Sequence, residues 1–211
     1  MVEPKFERVD LDERSWIDIG RGFLPAIEAD ALYGELAELP RWQQTRIFRY
    51  DHWRDEPRLT TMFKTAEAPA PLLDVQRALQ NRYGLLFDGF SLNWYRDGRD
   101  GQAFHRDRDL KWLDETLIAI LTLGAQRPWL VRPRSSKFDH GAENKGAVLD
   151  LAPASGDLVV MGGATQVGWE HSVAQIRRPV AGRMSVQWRW TSKRGRQEIG
   201  GSYRKPRTFS R

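Results

Sequence analysis

Three side chains able to bind a metal ion occur in a short, ordered pattern. His105 and Asp107 form a His-x-Asp pair just after a glycine-containing turn, and His171 follows further along the chain. Two imidazoles and one carboxylate make up the facial triad that binds non-haem Fe(II) and leaves positions open for co-substrate and oxygen. Zinc is the alternative metal, but structural zinc sites usually close with four protein ligands, and only three are well placed here. The pattern predicts an Fe(II) site with oxygenase chemistry.

A second group of polar residues indicates a binding site for a small dicarboxylate. Asn93 and Tyr95 precede the His-x-Asp pair on a strand-like segment, where residues two apart face the same side. The segment 183–189 places Arg183, Ser185 and Arg189 on one face, with apolar residues on the other. The two arginines are separated by about 20 Å of strand. Because the planar guanidinium pairs with a carboxylate through two hydrogen bonds, these residues predict a pocket with an arginine for each end of the acid.

The elements that must position these residues change character along the chain. Apolar residues recur at helical spacing in 25–39, through Ile27, Ala31, Leu32 and Leu36, and again in 71–83. After Gly84 the period shortens to two, which predicts strands separated by Gly, Pro, Asp and Ser turns. The predicted strands cover 90–95, 117–123, 129–132, 147–151, 158–161 and 184–190.

Helices followed by a run of short strands predict an α+β, mainly β fold. The architecture that fits is a double-stranded β-helix, or jelly roll, with N-terminal helices packed on one face. On a strand, His105, Asp107 and Asp109 would share one face, and His171 must come from another strand to complete the metal site.

The composition predicts a single domain spanning residues 1–211. Hydrophobic residues make up 40% of the chain, and no apolar run approaches the length of a membrane span. The N-terminal residues lack a signal peptide pattern, and the absence of cysteine excludes disulfides and thiolate metal sites. We therefore expect a cytoplasmic monomer with no membrane association.

The chain carries a net charge of +5, and its basic residues are concentrated in a tail over 193–211. A basic excess favours polyanionic partners such as DNA or RNA through counterion release, although it also serves ordinary solubility.

The residues together resemble the AlkB family of Fe(II)- and 2-oxoglutarate-dependent dioxygenases. The resemblance covers roughly residues 40–190, and its motifs occur in the family's order, which makes it more specific than any one motif. The motifs are 56–63, Asn93-x-Tyr95, His105-x-Asp107-x-Asp109, 156–163, 169–172 and Arg183-x5-Arg189.

The resemblance implies a role for each matched residue. The iron ligands would be His105, Asp107 and His171, and 2-oxoglutarate would be held by Asn93, Tyr95, Arg183, Arg189 and Ser185. Many members have Asn where this chain has Ser185, which alters one hydrogen bond to the co-substrate.

The resemblance also implies residues that contact the substrate, in a nucleotide-recognition lid over residues 40–65. Phe63 matches a stacking position beside a flipped base, Arg58 lies in the same lid, and Asp109 matches a contact to the base edge. Segment 47–48 is the candidate for the finger that some members insert into duplex DNA.

The function implied is oxidative demethylation of N-alkylated nucleobases in DNA or RNA, with Fe(II), 2-oxoglutarate and O2. Two alternatives stay open: the same chemistry on a protein or small molecule, and a non-catalytic nucleic-acid-binding module on the same fold. The lid and the basic charge weigh against the first, and the intact ligand set weighs against the second. DNA and RNA are not distinguished.

Overall fold

Two antiparallel sheets and two long helices build the fold, as seen in a computed structural model of the chain. The structure describes residues 5–49, 51–87, 89–107, 110, 115–134 and 147–191. The strands are β1 Phe6–Asp12, β2 Ser15–Gly20, β3 Arg46–Arg49, β4 His52–Asp55, β5 Leu59–Lys64, β6 Gly89–Tyr95, β7 Gln102–His105, β8 Thr116–Gly124, β9 Trp129–Pro133, β10 Leu149–Asp150, β11 Leu158–Gly163, β12 Trp169–Val173 and β13 Arg183–Thr191. The helices are α1 Ala26–Ala37, α2 Ala70–Tyr83 and the short α3 Thr165–Gly168, with a 3-10 turn at Thr65–Glu67.

The larger sheet has the strand order β1-β2-β11-β8-β13-β6-β5, and the smaller has the order β10-β9-β12-β7. Strands β3 and β4 form a separate two-stranded hairpin. This arrangement confirms the predicted mainly β jelly roll. It also brings β6 next to β13, and β7 next to β12, so the segments that carry the predicted site residues are neighbours in space.

Two hydrophobic cores lie on opposite faces of the larger sheet. Strand β8 shows why: Leu121 and Leu123 pack with the helices, whereas Ile118 and Ile120 pack towards the smaller sheet. A central strand that is covered on both faces is apolar on both faces, which explains the nearly continuous run of apolar residues in β8. The candidate site lies on the face between the two sheets.

The two long helices cover the outer face of the larger sheet. Helix α2 buries Leu72, Val75 and Leu79, as its spacing predicts, and ends at Gly84 with φ of 65°. Only glycine adopts this left-handed cap without steric cost. Helix α1 differs from the prediction, because Ile27 is 85% exposed and the face that packs carries Ala29 instead.

The predicted order of helices before strands is wrong, because β1 and β2 precede α1. Strand β1 is an edge strand with charged residues on its exposed face, which obscures its alternation in the sequence. The predicted strand at 147–151 is shorter, and only Leu149–Asp150 pairs with β9. None of the helices in the described ranges is long and apolar enough to cross a membrane.

Candidate metal and co-substrate site

Strands β7 and β12 bring the two histidines of the triad together. His105 and His171 are directly opposite in this antiparallel pair, and their ring centroids are 4.2 Å apart. Asp107 follows two residues beyond the end of β7. One ligand atom from each of the three residues lies within 4.8 Å of the others, so the three could hold one metal ion.

The geometry of the His-x-Asp pair differs from the prediction in one respect. Strand β7 ends at His105, so Asp107 reaches the cluster from the following loop and not from the same strand face. Asp109, predicted on that face, lies outside the described residues, as do 135–146 and the basic tail.

Both histidines are held in the neutral form that binds metals. Burial lowers the pKa of His171 to about 3, and the neighbouring His105 ring acts in the same direction. Burial likewise lowers the pKa of His105. Trp129 stacks on the His171 ring at 5.5 Å between centroids and shields it from solvent. Neutral imidazoles need no deprotonation before they bind a metal ion.

The tautomer of His105 is set by the main chain. Its Nδ1 lies 2.9 Å from the carbonyl oxygen of Ala103, which can only accept, so Nδ1 carries the proton. The other ring nitrogen, Nε2, faces the cluster with its lone pair, which accepts a hydrogen bond from the Gln102 amide. Such an outer contact orients a histidine ligand and fixes which nitrogen binds.

The carboxylate of Asp107 remains ionised in its buried setting. Burial acts to raise the pKa of Asp107, but opposing interactions, led by attraction to Arg189, outweigh burial and lower it. Arg189 Nε lies 2.8 Å from Asp107 Oδ2, yet neither atom makes an aligned hydrogen bond. The oxygen therefore keeps lone pairs for a metal ion, which is the donor chemistry a triad needs.

Arg183 supplies an anion-binding group at the start of β13, six residues before Arg189. Its side chain is fully buried, and Nη2 donates a hydrogen bond to Thr122 Oγ1 at 3.0 Å. Its Nε and Nη1 atoms have no partner. Burial lowers the pKa of Arg183 to about 10, so it stays charged at neutral pH. A buried cation with two unused donors fits a bound carboxylate.

The predicted co-substrate residues converge on this arginine. In the pairing of β6 with β13, Tyr95 is opposite Arg183 and Asn93 is opposite Ser185. The Ser185 hydroxyl is buried without a partner, so it too could bind a ligand. Arg189, at the far end of β13, contacts Asp107 and so lies on the metal side of the pocket.

Gln102 connects the two parts of the site. The Tyr95 hydroxyl donates to Gln102 Oε1 at 3.2 Å, and Gln102 Nε2 lies 2.7 Å from His105 Nε2. Sequence reasoning missed this residue, although its position three before His105 was a possible signal. It also missed Thr122, because β8 reads as an uninterrupted buried strand in which one hydroxyl does not stand out.

Arg58 lies at the site, whereas Phe63 does not. The Arg58 guanidinium pairs with Glu56 at 3.1 Å, and its charge contributes to the lowered pKa of His105. Phe63 is 5% exposed in the core on the helix side, stacked on Phe90 with the guanidinium of Arg41 4.2 Å from its centroid. A base could reach this ring only by displacing Arg41, so Phe63 is not brought together with the site residues.

The β3–β4 hairpin carries exposed aromatic residues. Phe48 is 58% exposed and Trp53 is 59% exposed, and their rings meet edge to face at 5.6 Å. Arg46 lies 6.0 Å from the Trp53 ring. The predicted finger segment 47–48 is thus part of an exposed aromatic and basic hairpin.

Comparison with known proteins places this site in a family. A sequence model of the 2OG-Fe(II) oxygenase superfamily matches residues 41–199. The human alpha-ketoglutarate-dependent dioxygenase alkB homolog 3 is 28% identical over 165 residues, covering 72% of this chain and 58% of that protein. The human DNA oxidative demethylase ALKBH2 is 25% identical over 179 residues, covering 77% of this chain and 68% of that protein. The chain spans little more than half the length of the alkB homolog 3 proteins, 58% of the bovine one and 56% of the rat one.

Solved structures share the fold. The structure of OsALKBH1 aligns with a TM-score of 0.57 at 14% identity, covering 87% of this chain and 99% of that one. A Pseudomonas putida prolyl-4-hydroxylase aligns with a TM-score of 0.52 at 18% identity, covering 82% and 90%. These likenesses support the jelly-roll architecture alone. On the family match and the curated relatives, the chain belongs to the 2OG-Fe(II) oxygenase superfamily and, within it, to the AlkB family.

Proposed function

We propose that this protein is an Fe(II)- and 2-oxoglutarate-dependent dioxygenase that removes alkyl groups from the nitrogens of bases in DNA or RNA. The observation that carries the oxygenase part is that one fold holds both a cluster of two histidines and a carboxylate and a fully buried Arg183 with two unpartnered donors. The names of the curated relatives, which include a DNA oxidative demethylase, support the nucleic-acid substrate.

Each proposed role follows from a contact in the site. His105, Asp107 and His171 would hold Fe(II) from one side, which leaves the remaining coordination positions for 2-oxoglutarate and O2. The co-substrate would be bound by the residues on β6 and β13, namely Asn93, Tyr95, Arg183, Ser185 and Arg189. Arg183 is remote from Asp107 along β13, whereas Arg189 contacts Asp107. The two arginines would therefore meet opposite ends of the dicarboxylate.

The protein positions and shields the metal and the co-substrate, and these bound groups supply the oxidation. When bound, iron and 2-oxoglutarate provide the activation of O2 and the oxidation of the alkyl carbon. Arg183 would hold a carboxylate in a buried pocket, where its Nε and Nη1 donors have no partner among the described residues. Arg189 balances the charge of Asp107, and Trp129 covers one face of the His171 ring.

The substrate would enter past the lid over residues 40–65. The lid is joined to the turn before His105, since the Gly101 N–H donates to the Pro57 carbonyl at 2.9 Å. Arg58 is the proposed lid contact to the substrate, and Asp109 remains the proposed contact to the base edge. The target base must be flipped from a duplex or presented on a single strand, because the site is enclosed between sheets.

A repair assay tests the proposal. The protein is loaded anaerobically with Fe(II) and 2-oxoglutarate and mixed with oligonucleotides of DNA or RNA that carry 1-methyladenine or 3-methylcytosine. Air is then admitted, and formaldehyde and the restored base are measured. We expect both products from the parent and neither from Asp107→Ala. The control Asp74→Ala removes an exposed carboxylate on α2 and is expected to retain activity.

Two results would change the proposal. Repair that survives in Asp107→Ala would overturn the metal assignment. Succinate formed without restoration of any alkylated base would keep the oxygenase and move the substrate to a protein or small molecule.

A further inference from the structure

A buried glutamine side chain contacts the main chain of the proposed carboxylate ligand. Gln166 lies in α3, the short helix between β11 and β12, and is 1% exposed. Its Oε1 accepts a hydrogen bond from the Asp107 N–H at 2.8 Å, across a sequence separation of 59 residues. Neither residue belongs to a strand, so this bond is not part of a sheet.

The segment that carries Asp107 has little other support from regular structure. Strand β7 ends at His105, and the next main-chain bond that involves Asp107 is from Leu110 N–H to the Asp107 carbonyl. The preceding residue is also held by α3, because Arg106 Nη1 donates to the Val167 carbonyl at 3.2 Å. Helix α3 therefore holds two consecutive residues of the segment.

The same helix leads directly into the strand that carries the second histidine. Residue 168 ends α3 and Trp169 begins β12, two residues before His171. A contact from Gln166 to Asp107 thus joins the carboxylate to the element that fixes the opposite imidazole. Metal sites need their ligands held within about 0.5 Å of the productive geometry, and the outer contacts of ligands provide much of that precision.

We infer that Gln166 is a positioning residue, which fixes the Asp107 main chain so that its carboxylate meets His105 and His171; this rests on the metal site proposed above. Among the described residues, the amide has no other strong partner, since its Nε2 has only the Met161 sulfur at 4.0 Å. Its surroundings include Leu11, Val131 and Met161, where an apolar side chain would pack without burying an amide. The bond to Asp107 is what the polar side chain contributes.

The experiment compares two glutamines with a similar degree of burial. Gln166→Met keeps the length of the side chain and removes the acceptor. Gln76→Met is the matched control, because Gln76 is 4% exposed and bonds to Phe87 and Trp188 on the helix side of the larger sheet. Co(II) is titrated into the metal-free full-length protein, unfolding by urea is measured, and hydrogen exchange of the Asp107 amide is followed by NMR.

We expect Gln166→Met to bind Co(II) about 10- to 100-fold more weakly than the parent, the range typical when a residue that orients a metal ligand is replaced. Its Asp107 amide is expected to exchange faster, whereas Gln76→Met loses stability and keeps the parent's Co(II) affinity. Equal Co(II) affinity in the parent and Gln166→Met would overturn the inference and leave the proposed function intact.

Two results with the parent protein also test the positioning role of Gln166. A parent that binds no Co(II) would overturn the metal site and this inference with it. Fast exchange of the Asp107 amide in the folded parent would overturn the inference alone, even if Gln166→Met does not fold.

Discussion

At the scale of single residues, a buried cation with unused donors is the strongest indication of a ligand. Arg183 makes one side-chain hydrogen bond, to Thr122, and the desolvation of its charge is unfavourable unless an anion compensates it. Exposed arginines elsewhere in the chain, such as Arg99, pair with neighbouring carboxylates on the surface. Arg127 is as buried as Arg183, but it donates to the carbonyls of Asp97, Asp100 and Ala174. Burial combined with two unused donors therefore distinguishes Arg183 from the other arginines of the described residues.

Replacing Arg183 should weaken co-substrate binding without harming the fold. We expect Arg183→Met to lower the affinity for 2-oxoglutarate about 10- to 100-fold, since one or two charged hydrogen bonds are removed. Calorimetric titration of the Co(II)-loaded protein with 2-oxoglutarate measures this change. The unfolding free energy of the unliganded variant should not fall, because an uncompensated buried charge is removed.

The control for this experiment is Arg21→Met. Arg21 is half-exposed and pairs with Asp157 and the Leu151 carbonyl, so 2-oxoglutarate affinity should not change. Undiminished affinity in Arg183→Met would remove this residue from the co-substrate pocket.

The buried histidines make the metal-free protein sensitive to acid. Burial lowers the pKa of His171 from 6.5 to about 3, so the unfolded chain binds a proton over this range and the folded protein does not. Stability is therefore complete above the unfolded pKa and is lost as pH falls below it. At about pH 5, roughly one and a half pH units below the unfolded pKa, this one group lowers the unfolding free energy by about 2 kcal/mol.

Urea unfolding of the metal-free protein at about pH 7 and about pH 5 tests this expectation. The variant His171→Gln should lose less stability on acidification than the parent. Gln76→Met, which replaces a buried residue without an ionisable group, serves as the comparison and should leave the pH dependence of the unfolding free energy unchanged. If the unfolding free energy of His171→Gln depended on pH in the same way as that of the parent, the lowered pKa assigned to His171 would be contradicted.

At the scale of elements, alternation along strands explains why the co-substrate residues were predictable. In β13, Met184, Val186 and Trp188 pack in the core with the helices, so Arg183 and Ser185 face the other sheet. The same rule did not extend to Asp107, because β7 ends two residues earlier. Periodicity predicts orientation inside a strand and gives no information beyond its end.

The turn before β7 depends on glycine for close packing. A Cβ at Gly98 would lie 2.4 Å from the carbonyl oxygen of Ile176 and 3.0 Å from that of Arg178. We expect Gly98→Ala to lower the unfolding free energy by about 1–3 kcal/mol, as overpacking typically does. Denaturant unfolding provides the measurement.

Gly34→Ala is the matched control for this substitution. Gly34 lies within α1, and a Cβ there meets nothing within 4 Å. Alanine is favoured over glycine in a helix by about 1 kcal/mol, so this variant should be more stable than the parent. Changes in unfolding free energy of the same sign in Gly98→Ala and Gly34→Ala would contradict the packing assigned to Gly98.

At the scale of the whole molecule, the positive charge suits a polyanionic substrate. The net charge is +5, and the match to the superfamily ends at residue 199, before Arg204, Lys205, Arg207 and Arg211. We propose that these residues contribute nonspecific attraction to phosphates, separate from the site itself.

Truncation after residue 199 tests this contribution. Binding of a fluorescent single-stranded oligonucleotide is measured at several salt concentrations for both chains. We expect the slope of log affinity against log salt to become shallower by about 0.7 for each phosphate that the tail neutralises. Activity on a free methylated nucleoside should be unchanged. Identical slopes would show that the tail does not bind nucleic acid.

The sequence by itself determined the residue types of the candidate metal cluster, the polar face of β13 and the mainly β architecture. These are local properties, since a ligand type is a side-chain chemistry and a strand face is a period of two. The family resemblance implied a place for Phe63 beside the substrate, whereas the structure places it in the core with Phe90. Residue type alone did not distinguish a ring open to a ligand from one packed in the interior.

Only the tertiary structure decided which distant groups meet. The pairing of β7 with β12 sets His105 opposite His171, and the packing of α3 brings Gln166 to the main chain of Asp107. The burial of Arg183, which makes it a candidate anion site, depends on strands on both sides of β13. Interactions of this kind join residues far apart in the chain, so no local pattern encodes them.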